Sequence, residues 1–196
     1  MTRSLERVVY WSGKEDPVTT PLAPEERHML PVITPELVSS FGKPRIGGLW
    51  TSPEESSYPW ETWCREEGME KWLGDRYVLS VTGEPRILVV DSAADLFRTW
   101  QNYGRQRDWG DRNEYTDRDL NFECIAEDYD ALWLTERGHI ETRMAMELNT
   151  YAWDCETVLW FRWCFSLVER SEPEALHGAA SWSLDKTLER LQGETP

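Results

Sequence analysis

The chain has 196 residues, a hydrophobic fraction of 40% and a formal net charge of −15 at pH 7. This length suits one domain with a full core, and no apolar run reaches the roughly 20 residues that a membrane-spanning helix needs. The first residues lack the apolar stretch of a signal peptide, which predicts a cytoplasmic protein without a membrane partner. The negative charge disfavours nucleic acid and favours a protein partner.

Cysteine and histidine are too dispersed to predict a metal centre. The four cysteines form no C-x-x-C pair: Cys64, Cys124, Cys155 and Cys164. The three histidines are equally scattered: His28, His139 and His177. We therefore expect no metal site and no disulfide framework, but reduced and mostly buried thiols. Twelve tryptophans are present, and most of them are expected in the core, since an indole buries a large apolar area.

The N-terminal third predicts one strand followed by a long insertion. Residues 6–13, "ERVVYWSG", alternate in polarity and are rich in β-formers, so a strand is expected to end at Ser12–Gly13. Residues 14–48 hold six of the eleven prolines and predict a long ordered loop. Within this insertion, Thr34 as N-cap, Pro35 and Gly42 predict a short helix.

In the middle of the chain, segments with the alternating pattern of a strand are interspersed with segments that have the apolar periodicity of a helix. Strands are predicted at 49–52, 76–81 and 86–91, the last two joined by the turn sequence "TGEP". Helices are predicted at 57–68, 92–104 and 119–129, from caps and apolar faces. The polar stretch 105–119 is expected to be a solvated loop.

The C-terminal part predicts paired strands. Residues 131–136 and 150–163 are read as strands, with a turn at Arg137–Gly138 and loop or strand between 139 and 150. Residues 171–196 are acidic and weakly helical, which indicates a peripheral helix or tail. Strands and helices mix irregularly, so residues 1–170 are expected to form a single α+β domain rather than a doubly wound sheet.

The common catalytic motifs are missing. The chain contains no GxxxxGK[ST], GxGxxG, HExxH or GxSxG. This argues against a kinase, a Rossmann dehydrogenase and a metalloprotease. A sugar-binding or sugar-cleaving protein stays open, because the chain has many carboxylates and aromatic rings.

Three short segments are informative when they are considered together, in their order along the chain. The first predicted strand ends "YWSG", the second lies in "GGLWTSPEESS" (47–57), and the last contains "WDCETVLW". Their order resembles the ADP-ribosyltransferase superfamily, closest to its poly(ADP-ribose) polymerase-like or diphtheria-toxin-like branch. In that branch the first strand ends in an aromatic residue and His-Gly, the second carries a tyrosine and then a serine, and a late strand carries a glutamate. Ser12 stands at the histidine position and Trp50 at the tyrosine position.

The resemblance implies a split, mostly antiparallel sheet with peripheral helices around an NAD cleft. It makes Glu156 the catalytic residue, since a carboxylate on a ribose hydroxyl stabilises an oxocarbenium-like transition state. Ser12 and the backbone of Gly13 would hold the nicotinamide amide or the adjoining ribose, and Trp50 would stack on the nicotinamide ring. The remaining expected NAD contacts share the second motif: Thr51, Ser52, Ser56 and Ser57. Residues 137–152 would help to select the acceptor.

Each of these assignments has a structural alternative. Glu156 would face the same side as Arg162 on a strand and could simply pair with it, while Glu141, Glu147 and Asp154 are lesser catalytic candidates. Trp50 could belong to the core, and Ser-Gly at a strand end could be a turn.

The expected activity is NAD-dependent transfer of ADP-ribose to a macromolecule, preferably protein, or NAD hydrolysis. The alternative is a non-enzymatic acidic protein that binds or inhibits a basic partner, which the net charge favours directly.

Overall fold

The computed structural model describes residues 5–12, 32–33, 43–44, 46–106, 118–145 and 148–171. The described strands are β1 (Arg7–Trp11), β2 (Leu49–Pro53), β3 (Arg76–Val81), β4 (Ile87–Val90), β5 (Gly104–Gln106), β6 (Arg118–Leu120), β7 (Ala131–Leu134), β8 (Thr157–Trp160) and β9 (Phe165–Ser171). The helices are α1 (Trp60–Glu66), α2 (Ala93–Tyr103), α3 (Phe122–Asp128) and α4 (Glu136–Thr142), and a 3-10 helix spans Glu70–Trp72. The predicted helix at 34–42, Gly13 and nearly all of the predicted tail lie outside the described residues.

Seven strands form one sheet in the order β4-β7-β8-β2-β1-β3-β9, and β5 and β6 form a separate antiparallel pair. All pairings in the large sheet are antiparallel except β4 with β7. The parallel pair is joined through α2, β5, β6 and α3, which is the long crossover that parallel neighbours require. The prediction of an α+β chain with a mostly antiparallel sheet is confirmed.

Both sides of the sheet carry apolar side chains. The first side holds the buried cluster Val8, Tyr10, Leu49, Tyr77, Leu79, Ala131, Trp133, Val158, Trp160 and Phe165. The second side packs against α2 and α3 through Val32, Val90, Leu96, Leu120, Phe122, Ile125, Leu132, Leu134, Trp153 and Leu159. A smaller cluster joins α1 to the sheet through Trp63, Cys64, Leu73 and Cys155. Burial of both sides explains why β7 and β8 read as continuous apolar runs rather than alternating ones.

The double glycine before β2 has a backbone and a packing reason. Gly47 and Gly48 have φ values of 86° and 75°, in the region that glycine tolerates best. A Cβ on Gly48 would also lie 2.5 Å from Leu159 Cδ1 and 3.2 Å from the Trp160 carbonyl oxygen. The chain therefore turns into β2 while touching β8.

Three sequence-based assignments of structure need correction. The predicted turn at Arg137–Gly138 and the start of the undecided stretch, as far as Thr142, lie in α4, because Thr135 caps a helix by accepting a hydrogen bond from the Gly138 amide at 3.1 Å. The predicted strand 150–163 is regular only over β8. The stretch 105–119 begins and ends in the pairing strands β5 and β6 instead of being loop throughout. Its residues 107–117 lie outside the described chain.

The described residues show neither a membrane-spanning helix nor a metal-binding cluster. Among the described helices, none combines the length and apolar character needed to cross a bilayer. Nor do histidine, cysteine, aspartate and glutamate side chains of the described ranges gather in threes or more where they could hold a metal ion.

Candidate active site

The three sequence motifs lie on adjacent strands. β1 carries "YWSG" at its end, β2 lies within "GGLWTSPEESS", and β8 follows Glu156 directly. β2 pairs with β1 on one side and with β8 on the other, and both pairings are antiparallel. Segments separated by more than 100 residues in the sequence thus meet at the centre of the sheet.

The pairing between β1 and β2 covers only one end of these two described strands. Val8 faces Pro53 and Val9 faces Ser52, and no ladder pair joins Tyr10 and Trp11 to Thr51 and Trp50. In contrast, β1 pairs with β3 along all five of its residues, and β2 pairs with β8 from Leu49 to Thr51. The central sheet therefore splits between the second half of β1 and the first half of β2.

Ser12 lies at the open end of this split. Its backbone amide donates to the Asp75 carbonyl oxygen at 3.0 Å, and its Oγ accepts from the Asp75 amide at 2.9 Å. These two bonds fasten the end of β1 to the segment before β3. Ser12 is buried, and its hydroxyl retains one hydrogen to donate.

Trp50 is half-buried on the opposite strand. Its ring meets Trp153 edge to face with centroids 4.9 Å apart, and the Lys43 ammonium lies 5.5 Å from its centroid. The structure thus gives Trp50 a core contact as well as a cation contact. Lys43 in turn pairs with Asp154 at 3.3 Å.

The hydroxyl groups of the second motif hold the surrounding elements together. Thr51 Oγ1 donates to the Val158 carbonyl oxygen at 3.3 Å and accepts from Trp160 Nε1 at 3.0 Å. Ser52 Oγ accepts from the Trp60 amide at 3.0 Å, which supplies an acceptor to the first residue of α1. The hydroxyl groups of Thr51 and Ser52 therefore position β2, β8 and α1 relative to one another.

The two serines after β2 order the turn into α1. Ser56 Oγ accepts from the Tyr58 amide at 3.2 Å. Ser57 Oγ donates to Glu136 Oε2 at 2.5 Å, which joins this turn to α4. The second motif therefore contacts the first residue of α4, directly before the segment predicted to select an acceptor.

Glu156 is almost completely buried, with an exposed fraction of 1%. Its Oε1 accepts a hydrogen bond from Trp133 Nε1 at 3.1 Å, and its backbone amide donates to the Tyr58 carbonyl oxygen at 3.2 Å. The alternative that Glu156 pairs with Arg162 is wrong. Arg162 pairs instead with Asp130 and donates to the Ala126 carbonyl oxygen at 2.8 Å.

Ser12 and Glu156 lie at opposite ends of the paired region. The β1–β2 register brings Ser12 level with Leu49, which pairs with Trp160, whereas Glu156 precedes β8 and is level with Pro53. Four residues along the strands and two strand spacings across them correspond to roughly 16 Å. One ribose cannot contact both side chains, so only an extended molecule could reach from one to the other.

A second group of polar side chains lies beside the start of β8, and of its members the sequence singled out only Asp154. We call Lys43, His139, Arg143 and Asp154 the Arg143 cluster. Arg143 Nη1 donates to the Asp154 carbonyl oxygen at 3.1 Å and lies 3.3 Å from His139 Nε2. The Arg143 guanidinium also lies 5.7 Å from the Tyr151 ring centroid. Asp154 was a lesser catalytic candidate, and the structure gives it the role of holding Lys43 and Arg143.

His139 is buried against this guanidinium. Burial first, and then the charge of Arg143, lower the pKa of His139 below its ordinary value. Since a guanidinium only donates hydrogen bonds, the Nε2 facing it acts as an acceptor in the neutral imidazole. A signal for this pair exists in the sequence, because positions 139 and 143 are four apart and meet on one helix face.

Arg143 differs from most described arginines. Seven others pair with carboxylates: Arg7, Arg65, Arg76, Arg98, Arg137, Arg162 and Arg170. Arg143 contacts a carbonyl oxygen and a neutral imidazole, and it pairs with no carboxylate of the described residues. A guanidinium in this state suits a phosphate or carboxylate ligand.

The buried thiols near the site are poor nucleophiles. Burial raises the pKa of Cys155 to about 11 and that of Cys64 to about 12. Both groups stay protonated at neutral pH, and it is the thiolate that reacts.

Comparison with family models, with curated proteins and with solved structures gave no match to this chain.

Proposed function

We propose that this protein cleaves NAD between nicotinamide and ribose and transfers ADP-ribose to a protein acceptor or to water. The observation that carries the proposal is the split between β1 and β2. It lies between Ser12 on one side and Trp50 and Thr51 on the other, which are residues of the two motifs that resemble the ADP-ribosyltransferase superfamily. The adjacency of β8, with Glu156 before it, adds the third motif.

The reaction breaks the bond between the ribose C1′ and the nicotinamide nitrogen. The bonding electron pair leaves with nicotinamide, the sugar develops positive charge, and the acceptor forms the new bond to C1′ and releases its proton. The Glu156 carboxylate accepts a hydrogen bond from a ribose hydroxyl and stabilises this charge. Trp133 holds one carboxylate oxygen at 3.1 Å, and the surrounding apolar side chains make the electrostatic contact stronger than it is in water.

The burial of Glu156 and its distance from Ser12 refine the assignment. NAD must displace neighbouring groups to reach a carboxylate that is 1% exposed. Ser12 then contacts a different part of the dinucleotide from the ribose that Glu156 holds. The Arg143 cluster supplies two cations, Lys43 and Arg143, for the pyrophosphate of the same molecule.

The acceptor is expected to contact the segment between β7 and β8. Three large apolar side chains of this segment are exposed by half or more: Ile140, Met144 and Tyr151. Exposed apolar groups that lie close together in the sequence are typical of a protein-binding surface.

The test is release of nicotinamide from NAD by the purified chain. Glu156→Gln keeps the shape and the acceptor for Trp133 but removes the charge, so turnover is expected to fall by about 10² to 10³ while NAD affinity changes little. Glu84→Gln is the matched control, since Glu84 is exposed in the turn between β3 and β4. If the Glu156 variant turns over NAD as fast as the wild type, Glu156 takes no part in the reaction. If the wild type neither cleaves nor binds NAD, the non-enzymatic alternative is favoured.

A further inference from the structure

Three tryptophans, two from α1 and one from the 3-10 helix, pack against one another. The Trp60 and Trp63 rings are 4.8 Å apart with an interplanar angle of 19°, and Trp72 of the 3-10 helix lies 6.2 Å from Trp60 at 13°. We call these three residues the Trp stack. Trp63 is buried with an exposed fraction of 8%, whereas Trp72 is 40% exposed. The stack thus leads from the core to the surface.

The inner end of the Trp stack belongs to the fold. Trp63 packs in one buried cluster with Cys64, Leu73 and Cys155, and Trp60 lies against that cluster. Packing accounts for Trp63 but not for the exposed ring of Trp72. The exposed Trp72 indole stacks on Trp60 and lies 6.4 Å from the Trp63 ring at 32°. It is a rigid apolar platform, and a platform of this kind is common in binding sites.

Glutamates flank the three tryptophans in the sequence. Between residues 60 and 73 the sequence holds four glutamates (Glu61, Glu66, Glu67 and Glu70) against Arg65 and Lys71, a balance of −4 + 2 = −2. Glu61 already holds Arg65 at 2.8 Å. Glu67 is exposed and directly follows the end of α1, four residues after Trp63. Within the described chain, neither Glu67 nor Glu70 pairs with a cation.

Other aromatic rings of this protein already have a cation beside them. Lys43 lies 5.5 Å from the Trp50 centroid, Arg170 lies 5.5 Å from that of Tyr77, and Arg143 is beside Tyr151. No cation of the described residues lies over the rings of the Trp stack. An indole face attracts cations through its quadrupole, and neighbouring carboxylates add to that attraction.

We propose that the Trp stack is the docking surface for an arginine-bearing basic segment of a partner protein. A guanidinium stacks on the exposed face of Trp72, and Glu67 and Glu70 pair with the same or neighbouring cations. The net charge of −15 draws such a segment toward the chain, and the platform selects where it binds. This proposal does not rest on NAD cleavage.

The test measures binding of a short peptide of alternating arginine and glycine to the full chain at physiological salt, by calorimetry and tryptophan fluorescence without NAD. Trp72→Ala is expected to weaken binding by about 5- to 30-fold, and Trp72→Phe by less because a ring face remains. The double variant Glu67→Gln and Glu70→Gln is expected to weaken binding and flatten its salt dependence. Phe97→Ala is the control, since Phe97 is 42% exposed on α2.

Several results would overturn this assignment. If the wild type and Trp72→Ala bind the arginine peptide with equal affinity, the peptide binds by general charge attraction and not at the Trp stack. If the wild type does not bind the peptide, the Trp stack is not a docking surface for basic segments. A glycine–glutamine peptide or a neutral oligosaccharide that binds as well as the arginine peptide would exclude recognition of a cation. Thermal melting of each variant checks folding, and if Trp72→Ala is unfolded, the Phe and double Gln variants decide.

Discussion

The side chains of Glu156 and Trp133 are joined by a hydrogen bond of 3.1 Å in the interior of the sheet. Trp133 pairs with Val158 across β7 and β8, so Glu156 is its diagonal neighbour on the same side of the sheet. A carboxylate at this depth needs hydrogen-bond donors, and the indole N–H is one of them. This contact gives Trp133 a polar role in addition to its packing.

Removal of that donor is expected to destabilise the fold. Trp133→Phe keeps an aromatic ring but deprives Glu156 Oε1 of its partner, which is expected to lower the free energy of unfolding by about 1–3 kcal/mol beyond the loss of ring volume. Urea unfolding measures the change. Trp133→Phe combined with Glu156→Leu separates the two effects, because the polar penalty disappears when the carboxylate is gone. If the double variant is no more stable than Trp133→Phe alone, the hydrogen bond does not contribute.

Arg143 is expected to bind the anionic part of NAD. Arg143→Gln removes a charged donor without shortening the side chain drastically, and NAD affinity should fall by about tenfold, the lower end of the range for hydrogen bonds to charged groups because Arg143 is partly exposed. Quenching of tryptophan fluorescence by NAD gives the dissociation constant. Arg65→Gln serves as the control, since Arg65 pairs with Glu61 on α1. Unchanged affinity would separate the Arg143 cluster from the NAD site.

His139 is expected to make stability depend on pH. Because its folded-state pKa lies below the ordinary value, the unfolded chain takes up this proton first as the pH falls. Stability from this group is therefore complete above the unfolded pKa of about 6.5 and is lost as the pH falls from there toward the folded pKa. Between neutral and mildly acidic pH, the free energy of unfolding in urea should change less steeply with pH for His139→Gln than for the wild type. Parallel slopes would mean that His139 titrates alike in both states.

Gly138 is expected to tolerate no side chain. A Cβ there would overlap the Val90 carbonyl oxygen and come within 3.2 Å of Leu134 Cδ1. Gly138→Ala should force α4 away from β4 and destabilise the protein by about 1–3 kcal/mol, despite the higher helix propensity of alanine. Thermal unfolding measures the loss, and Ile140→Ala, at a 71% exposed position of the same helix, should change little. A stabilised Gly138 variant would show that helix propensity outweighs this contact.

Local sequence patterns predicted most of the helices and strands, but not which strands are neighbours in the sheet. The apolar faces of α2 and α3 are visible in the sequence. Their N-caps were not predicted: Ser92 and Asn121 accept hydrogen bonds from amides three residues on. β3 and β4 were also predicted as strands, yet they are consecutive in the chain and five positions apart in the sheet. Strand order depends on contacts between distant residues, which one sequence does not display.

The missed parts of the candidate site have similar causes. Gly138 looked like a turn residue because its close approach to Val90 exists only in the fold. The Arg143 cluster joins Lys43, α4 and the segment before β8, and no local spacing connects those three segments. β9 pairs with β3 along an exposed strand that alternation alone did not identify. Glu156 was predicted as a site residue by resemblance alone, and its contact with the Trp133 indole was not predicted.

The pairing of β2 with β8 also constrains when the proposed site can form. Thr51 bonds to the Val158 carbonyl oxygen across 107 residues, so β2 has only β1 as a neighbour until the last third of the chain is available. Contacts this distant in sequence slow folding, because a long loop must close before they stabilise anything. During synthesis, a ribosome-bound chain that ends before Glu156 lacks this residue and also β8, the strand that pairs with β2 on the side away from the split. Catalytic competence is therefore expected to arise late and in one step, only after the final strands have emerged from the ribosome.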